Sequence, residues 1–297
     1  MSALAGGLMR LYFGYIEPLQ TAARQRRRLQ ACGLAGLSEV SSCPTTTGPL
    51  GATCGEHCRS LIGFHRQSIA KFLTAAQRDA GGDARFHPVP SIIALGAHAD
   101  HGSYMAVLRR KSGGNLARDI AHAQARYHCR PINRQAHAGD IHAAATSLRF
   151  RTGGPVLSAL LSPRAAKAAP PLDPAAAVSP PACPVHYAMD WGVFLNTSDD
   201  AATGGREKLV GYVFLRRVGN GIRVIEFMGH GAHLHAGAMK LLFSEVMRWL
   251  LERRDPAVQG LDFIQYGAIE HGAAGLLQWK RRFGFAPAVF DHQSGDK

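Results

Sequence analysis

The order of patterned segments between residues 187 and 290 constrains this chain more than any single motif. Tyr187–Leu195 and Lys208–Val218 are rich in β-branched and aromatic residues and read as strands, with the polar turn Asn196–Arg206 joining them as an antiparallel pair. Gly219-Asn220-Gly221 is a tight-turn signal, and Ile222–Met228 follows as a third strand. After a loop opened by Gly229-His230-Gly231, Ala236–Arg254 repeats Met239, Leu242, Phe243, Val246 and Leu250 at helical spacing, with Pro256 just beyond its end. Leu261–Gln265 reads as a short buried strand, Glu270–Phe283 as a helix stopped at Gly284, and Ala288–Phe290 as a last strand. Three meandering strands, a loop, then helix, strand, helix, strand predict a mixed α/β (α+β) fold with a mainly antiparallel sheet flanked by helices.

Upstream the texture differs. Tyr104–Tyr127 reads as helical despite Gly113-Gly114, with cations Arg109, Arg110, Lys111, Arg118 and Arg126 between apolar Met105, Leu108, Leu116 and Ile120. Asp140–Arg149 reads as a short helix, and Ser41–Gly55 as a soft segment of Thr, Gly and Pro. Seven prolines between Pro163 and Pro184 cannot extend helices or central strands. They suggest a division into a basic N-terminal part (1–163), a Pro/Ala-rich loop or linker (164–184) and a C-terminal domain (185–297).

Charge sharpens that division. Of 297 residues, 34 are Lys or Arg and 21 Asp or Glu, a formal net charge of +13; residues 1–163 carry +11 of it and residues 164–297 only +2. An excess so placed suggests an anionic partner. Because 27 of the 34 cations are arginine, a GC-rich coding sequence also accounts for part of the excess. Apolar residues at 46% argue against wholesale disorder. No apolar run approaches the ~18 residues of a membrane span, so an integral membrane protein is not expected. The N-terminal apolar stretch has its main charge, Arg24 to Arg28, after it rather than before it, unlike a signal peptide, and a cytoplasmic protein is expected.

Six cysteines in a chain of this length do not make a disulfide scaffold. Cys54-Gly-Glu-His-Cys58 offers one loose pair of metal ligands, whose second pair would have to come from Cys43 and His65; the alternative is a loop of reduced cysteines, and no metal is expected.

Two segments carry a resemblance. Gly275-Leu-Leu-Gln-Trp279-Lys280-Arg-Arg-Phe283-Gly284-Phe285, together with the element order over 185–297, resembles the GNAT acyltransferase superfamily. The basic run Leu108-Arg109-Arg110-Lys111 through Arg118 is similar to the Arg-rich helix of the FemAB-type branch, which joins amino acids to acceptor amines from aminoacyl-tRNA. The resemblance implies an N-acyltransferase without metal or resident cofactor, an aminoacyl-tRNA or acyl-CoA cosubstrate, an amine acceptor (small molecule or peptide), and an abbreviated first GNAT-like subdomain. The loop from Met228 to Met239 has glycines but lacks the leading cation and spacing of the superfamily's pyrophosphate loop. That departure argues against acetyl-CoA and agrees with the FemAB-type branch. An acyl-CoA-dependent enzyme and a non-catalytic, nucleic-acid-binding or regulatory protein on the same fold stand as alternatives.

Acyl transfer to an amine needs a neutral amine, a polarised carbonyl and attack geometry. Lys280 is the candidate for an oxyanion or phosphate contact, and is equally readable as a surface lysine. Glu226 is a candidate base or an outward polar residue. Tyr266 is a candidate leaving-group acid or a core tyrosine. His230, beside His233 and His235, is a candidate base. Gly229 and Gly231 would bind donor phosphate through backbone N–H groups, and Arg109, Arg110, Lys111 and Arg118 would neutralise phosphates of a nucleic acid.

Overall fold

A computed structural model describes residues 40–48, 50–51, 54–80, 87–148, 150–151, 154–155, 178–196, 207–270 and 274–292. The N-terminal basic run, most of the proline-rich stretch and nearly all of the Asn196–Arg206 turn lie outside the described residues.

The helices are α1 (Glu56–Ile69), α2 (Ala75–Asp79), α3 (His101–Ser112), α4 (Asn115–Arg126), α5 (Ala138–Thr146), α6 (Ala238–Glu252) and α7 (Ala274–Arg282). The strands are β1 (Ser42–Thr45), β2 (Pro90–Ala94), β3 (Tyr127–Ile132), β4 (Phe150–Arg151), β5 (Gly154–Pro155), β6 (His186–Leu195), β7 (Lys208–Val218), β8 (Gly221–Gly229), β9 (Phe263–Ala268), β10 (Ala286–Pro287) and β11 (Val289–His292). Seven of them form one sheet in the order β10-β2-β9-β8-β7-β6-β3, antiparallel throughout except for the parallel neighbours β8 and β9. The expected α+β architecture, a mainly antiparallel sheet flanked by helices, is the one observed.

The meander β6–β7–β8 forms the centre because its residues alternate between two buried faces. On one face Trp191, Val193, Val213, Leu215 and Ile222 pack beneath α3, α4 and α6. Helix α6 buries Leu242, Phe243, Val246 and Leu250 and is apolar around most of its circumference, since it lies between the sheet and α3 and α4. On the other face Phe194, Leu209, Tyr212 and Phe214 pack against Ile141 and Ala144 of α5.

Three readings change. Tyr104–Tyr127 is two helices, because Gly113 (φ 60°) and Gly114 (φ 82°) both turn left-handed and end α3 before α4 begins. The residues before the proline stretch supply β2 and β3 to the same sheet as β6–β9, and Tyr104, Leu116 and Tyr127 share a core with Val193 and Phe243. The last strand, β11, pairs in parallel with β1 in a separate small sheet, so the soft segment Ser41–Gly55 contains a strand. Among the described residues no helix is long and apolar enough to cross a membrane.

Candidate active site where two parallel strands part

Parallel strands β8 and β9 are hydrogen-bonded only where Gly221–Arg223 face Phe263–Gln265. Beyond that, β8 stays with β7 to Gly229 while β9 stays with β2 to Ala268, so the two separate at their carboxyl ends. A cavity of about 460 Å³ lies in this opening, lined by Phe227, Met228 and Gly229 of β8, Tyr266 of β9, Trp279 of α7 and Lys240 of α6. Crevices at the carboxyl ends of diverging strands are the usual ligand sites of sheets with a helical crossover.

The wall is mostly apolar. Phe227, Tyr266 and Trp279 form a triangle of rings with centroids 5.1–6.1 Å apart. Gly229 is present because Met239 sits against it, leaving no room for a side chain. Lys240 brings the charge: its Nζ donates to Asp119 Oδ2 of α4 at 2.6 Å, which holds the ammonium at the wall.

Of the sequence candidates, Tyr266 and Gly229 line the cavity. Burial, and then the charge of Glu226, push the Tyr266 phenol up to about 12, so it is protonated at neutral pH. Glu226 is half-buried on β8 and accepts a hydrogen bond from Tyr212 Oη at 2.6 Å; it acts on Tyr266 through its charge rather than by lining the cavity. Gly231 does not line the cavity, and the N–H expected to bind donor phosphate donates instead to Ser147 Oγ at 2.9 Å.

His230 follows the end of β8, its ring centroid 5.6 Å from that of His233, whose Nδ1 lies 2.9 Å from Tyr127 Oη. The backbone N–H of Ala232 donates to His230 Nδ1 at 3.3 Å. His230 is not among the residues that line the cavity. Lys280 is placed inward: it is 1% exposed, its Nζ donates to the carbonyl of Ala268 and lies 5.2 Å from the Tyr266 ring centroid. It supports the end of β9 from behind the cavity and is not the surface lysine the basic run suggests. Arg109, Arg110, Lys111 and Arg118 are exposed on α3 and α4 and do not line the cavity.

Sequence reasoning missed Lys240; the available signal was a lysine in the first turn of the helix that follows the glycine loop. It also missed half of a cysteine cluster. The partners that meet Cys54 and Cys58 are Cys183 and His186, not Cys43 and His65, and the four donor atoms lie within 4.8 Å of one another. Burial pushes the Cys43 thiol up to about 12, with the charge of Asp262 adding to the shift, and Cys43 packs instead with Ile69, Phe72 and Phe290.

No protein-family model matches this chain, and no curated protein is significantly similar to it. Among solved structures it is similar to a conserved protein of unknown function from Bacteroides thetaiotaomicron VPI-5482, at 12% identity and a TM-score of 0.38, over 78% of this chain and 71% of that one. That likeness lends neither a family nor a function.

Proposed function

We propose that the protein is an N-acyltransferase that moves an acyl or aminoacyl group to an acceptor amine by direct attack, in the manner of FemAB-type enzymes of the GNAT superfamily. The observation that supports this most is the apolar cavity at the parting of β8 and β9, with one protonated phenol and one held lysine on its wall. An apolar acyl or aminoacyl side chain would fill the aromatic triangle, and Lys240 would hold an anionic part of the donor.

In the proposed step the amine nitrogen attacks the acyl carbonyl carbon, forming the C–N bond. Glu226 takes the amine proton through water, and Tyr266 gives its proton to the departing oxygen or sulfur as that bond breaks. Tyr266 is held neutral by burial, and Glu226 is anchored by the hydrogen bond it accepts from the Tyr212 hydroxyl. Lys280 positions Tyr266 by holding the end of β9.

The donor is decided by mass spectrometry of products after incubation with a mixture of acyl-CoAs and aminoacyl-tRNAs. A donor-dependent amide product is expected, with kcat in Tyr266→Phe reduced about 100-fold, the order of magnitude of losing one general acid. No product from any donor, or full activity in both Tyr266→Phe and Glu226→Gln, would sink the mechanism. The exposed cations of α3 and α4 favour the tRNA donor: affinity for charged tRNA should fall steeply between low and moderate salt, and salt-indifferent or absent binding removes that donor.

A further inference from the structure

Four potential metal ligands converge at the opposite end of the sheet from the cavity, roughly 25 Å away along β8 at ~3.3 Å per residue. Cys54 precedes α1 and Cys58 lies in its first turn; Cys183 and His186 come from the segment that enters β6, with Cys54 and Cys183 separated by 129 positions. Cys54 Sγ is 3.6 Å from Cys183 Sγ and 3.4 Å from His186 Nδ1, and Cys183 Sγ is 3.6 Å from the same nitrogen. A tetrahedral zinc ion with Zn–S of about 2.3 Å and Zn–N of about 2.0–2.1 Å requires S···S of about 3.8 Å and S···N of about 3.6 Å. These three separations match edges of that tetrahedron, and Cys58 Sγ lies within 4.8 Å of the other three donor atoms. The separations are also far beyond the ~2.05 Å of a disulfide, which would in any case join only two of the three thiols.

The surroundings complete the site. His186 Nε2 lies 2.7 Å from the carbonyl oxygen of Thr47, so Nε2 carries the hydrogen and the Nδ1 lone pair is directed at the sulfurs. Cys58, Cys183 and His186 are buried and Cys54 is half-buried, so four protein ligands close the shell.

We propose that Cys54, Cys58, Cys183 and His186 bind one structural Zn²⁺ ion. Three thiolates and one imidazole in a closed tetrahedron select zinc over hard cations, and a full protein shell leaves no position for a substrate. The ion joins α1 to the start of β6 and, through His186 and Thr47, to the loop that rests on the β7–β8 turn, where Thr46 N–H donates to Asn220 Oδ1 at 3.0 Å. This site is independent of the acyltransferase reading.

The test is metal analysis of the full chain purified without a polyhistidine tag from medium containing zinc and iron, together with cobalt substitution. One zinc per chain is expected, with a tetrahedral thiolate-cobalt spectrum in the substituted protein. Release of zinc by a mercurial should lower the melting temperature. Cys183→Ser and His186→Phe should lose the metal, and His186→Cys should keep it. Should the first two variants fail to fold, the metal content of the wild type and of His186→Cys still decides. Metal-free protein, one iron per chain, a Cys54–Cys183 disulfide in a non-reducing digest, or full zinc retention in Cys183→Ser would each overturn the assignment.

Discussion

Single residues show where a local pattern misleads. Lys280 stands in a basic run, yet the helical turn places its ammonium beside the Tyr266 ring and under the last carbonyl of β9, while Arg281 and Arg282 remain exposed. No one-dimensional pattern distinguishes those three neighbours, because the distinction depends on which way α7 is rotated against β9. Gly219 is different, since its requirement is visible in the turn signal itself. Its φ is 61°, and a Cβ there would come within 1.8 Å of the Thr46 carbonyl oxygen. That neighbour is backbone and cannot swing away. Gly219→Ala is therefore expected to lower unfolding free energy by about 2 kcal/mol or more in urea titrations, from strain and displacement of the 44–47 loop; a change below a few tenths would contradict the packing.

Elements were legible in proportion to the regularity of their burial. Strands β6, β7 and β8 are long and buried, and α6 repeats its apolar residues over four turns, so their order could be read with boundaries off by a residue or two. Strands β2 and β3 were missed because both carry proline. Pro131 in β3 and Pro287 in β10 lie on the two edge strands of the sheet, where a missing N–H removes no interior ladder bond. Strand β3 is further disguised by His128 and Arg130, half-buried polar residues that reach Glu207 at 3.0 and 2.8 Å. The other half of the cysteine cluster escaped notice for a related reason: Cys183-x-x-His186 ends a stretch that reads as linker. A pH effect belongs to the contact of α3 with α6, where His101 Nε2 is 3.2 Å from Ser244 Oγ. Burial and the positive charge of Arg248 lower its pKa below the ordinary 6.5, outweighing the opposing charges of Glu252 and Asp100. The unfolded state therefore binds more protons just below pH 6.5, and stability present above that value is lost as pH falls through the folded pKa. Denaturant titrations between about pH 7 and pH 5 should show this decline, smaller in His101→Asn; equal slopes would remove His101 as its source.

At the scale of the whole molecule, the sheet has two ends with different chemistry. At one, three cysteines and a histidine gather residues from distant parts of the chain; at the other, β8 and β9 part around an apolar cavity. The net charge of +13 belongs mostly to residues 1–163, and its described members on α3 and α4 face solvent rather than the cavity, as a docking surface for a large anion would require. The central claim is that the cavity takes the acyl part of a donor. It is tested most directly by thermal unfolding with acyl-CoAs and aminoacyl-tRNAs in the wild type and in Leu276→Trp, which fills the cavity from the half-exposed face of α7. Donor at about 100 times its Kd should stabilise the wild type by ~2.7 kcal/mol, a rise of a few degrees for a chain of this size, and leave the variant unshifted. Equal shifts in both proteins, or none with any donor, would contradict the account.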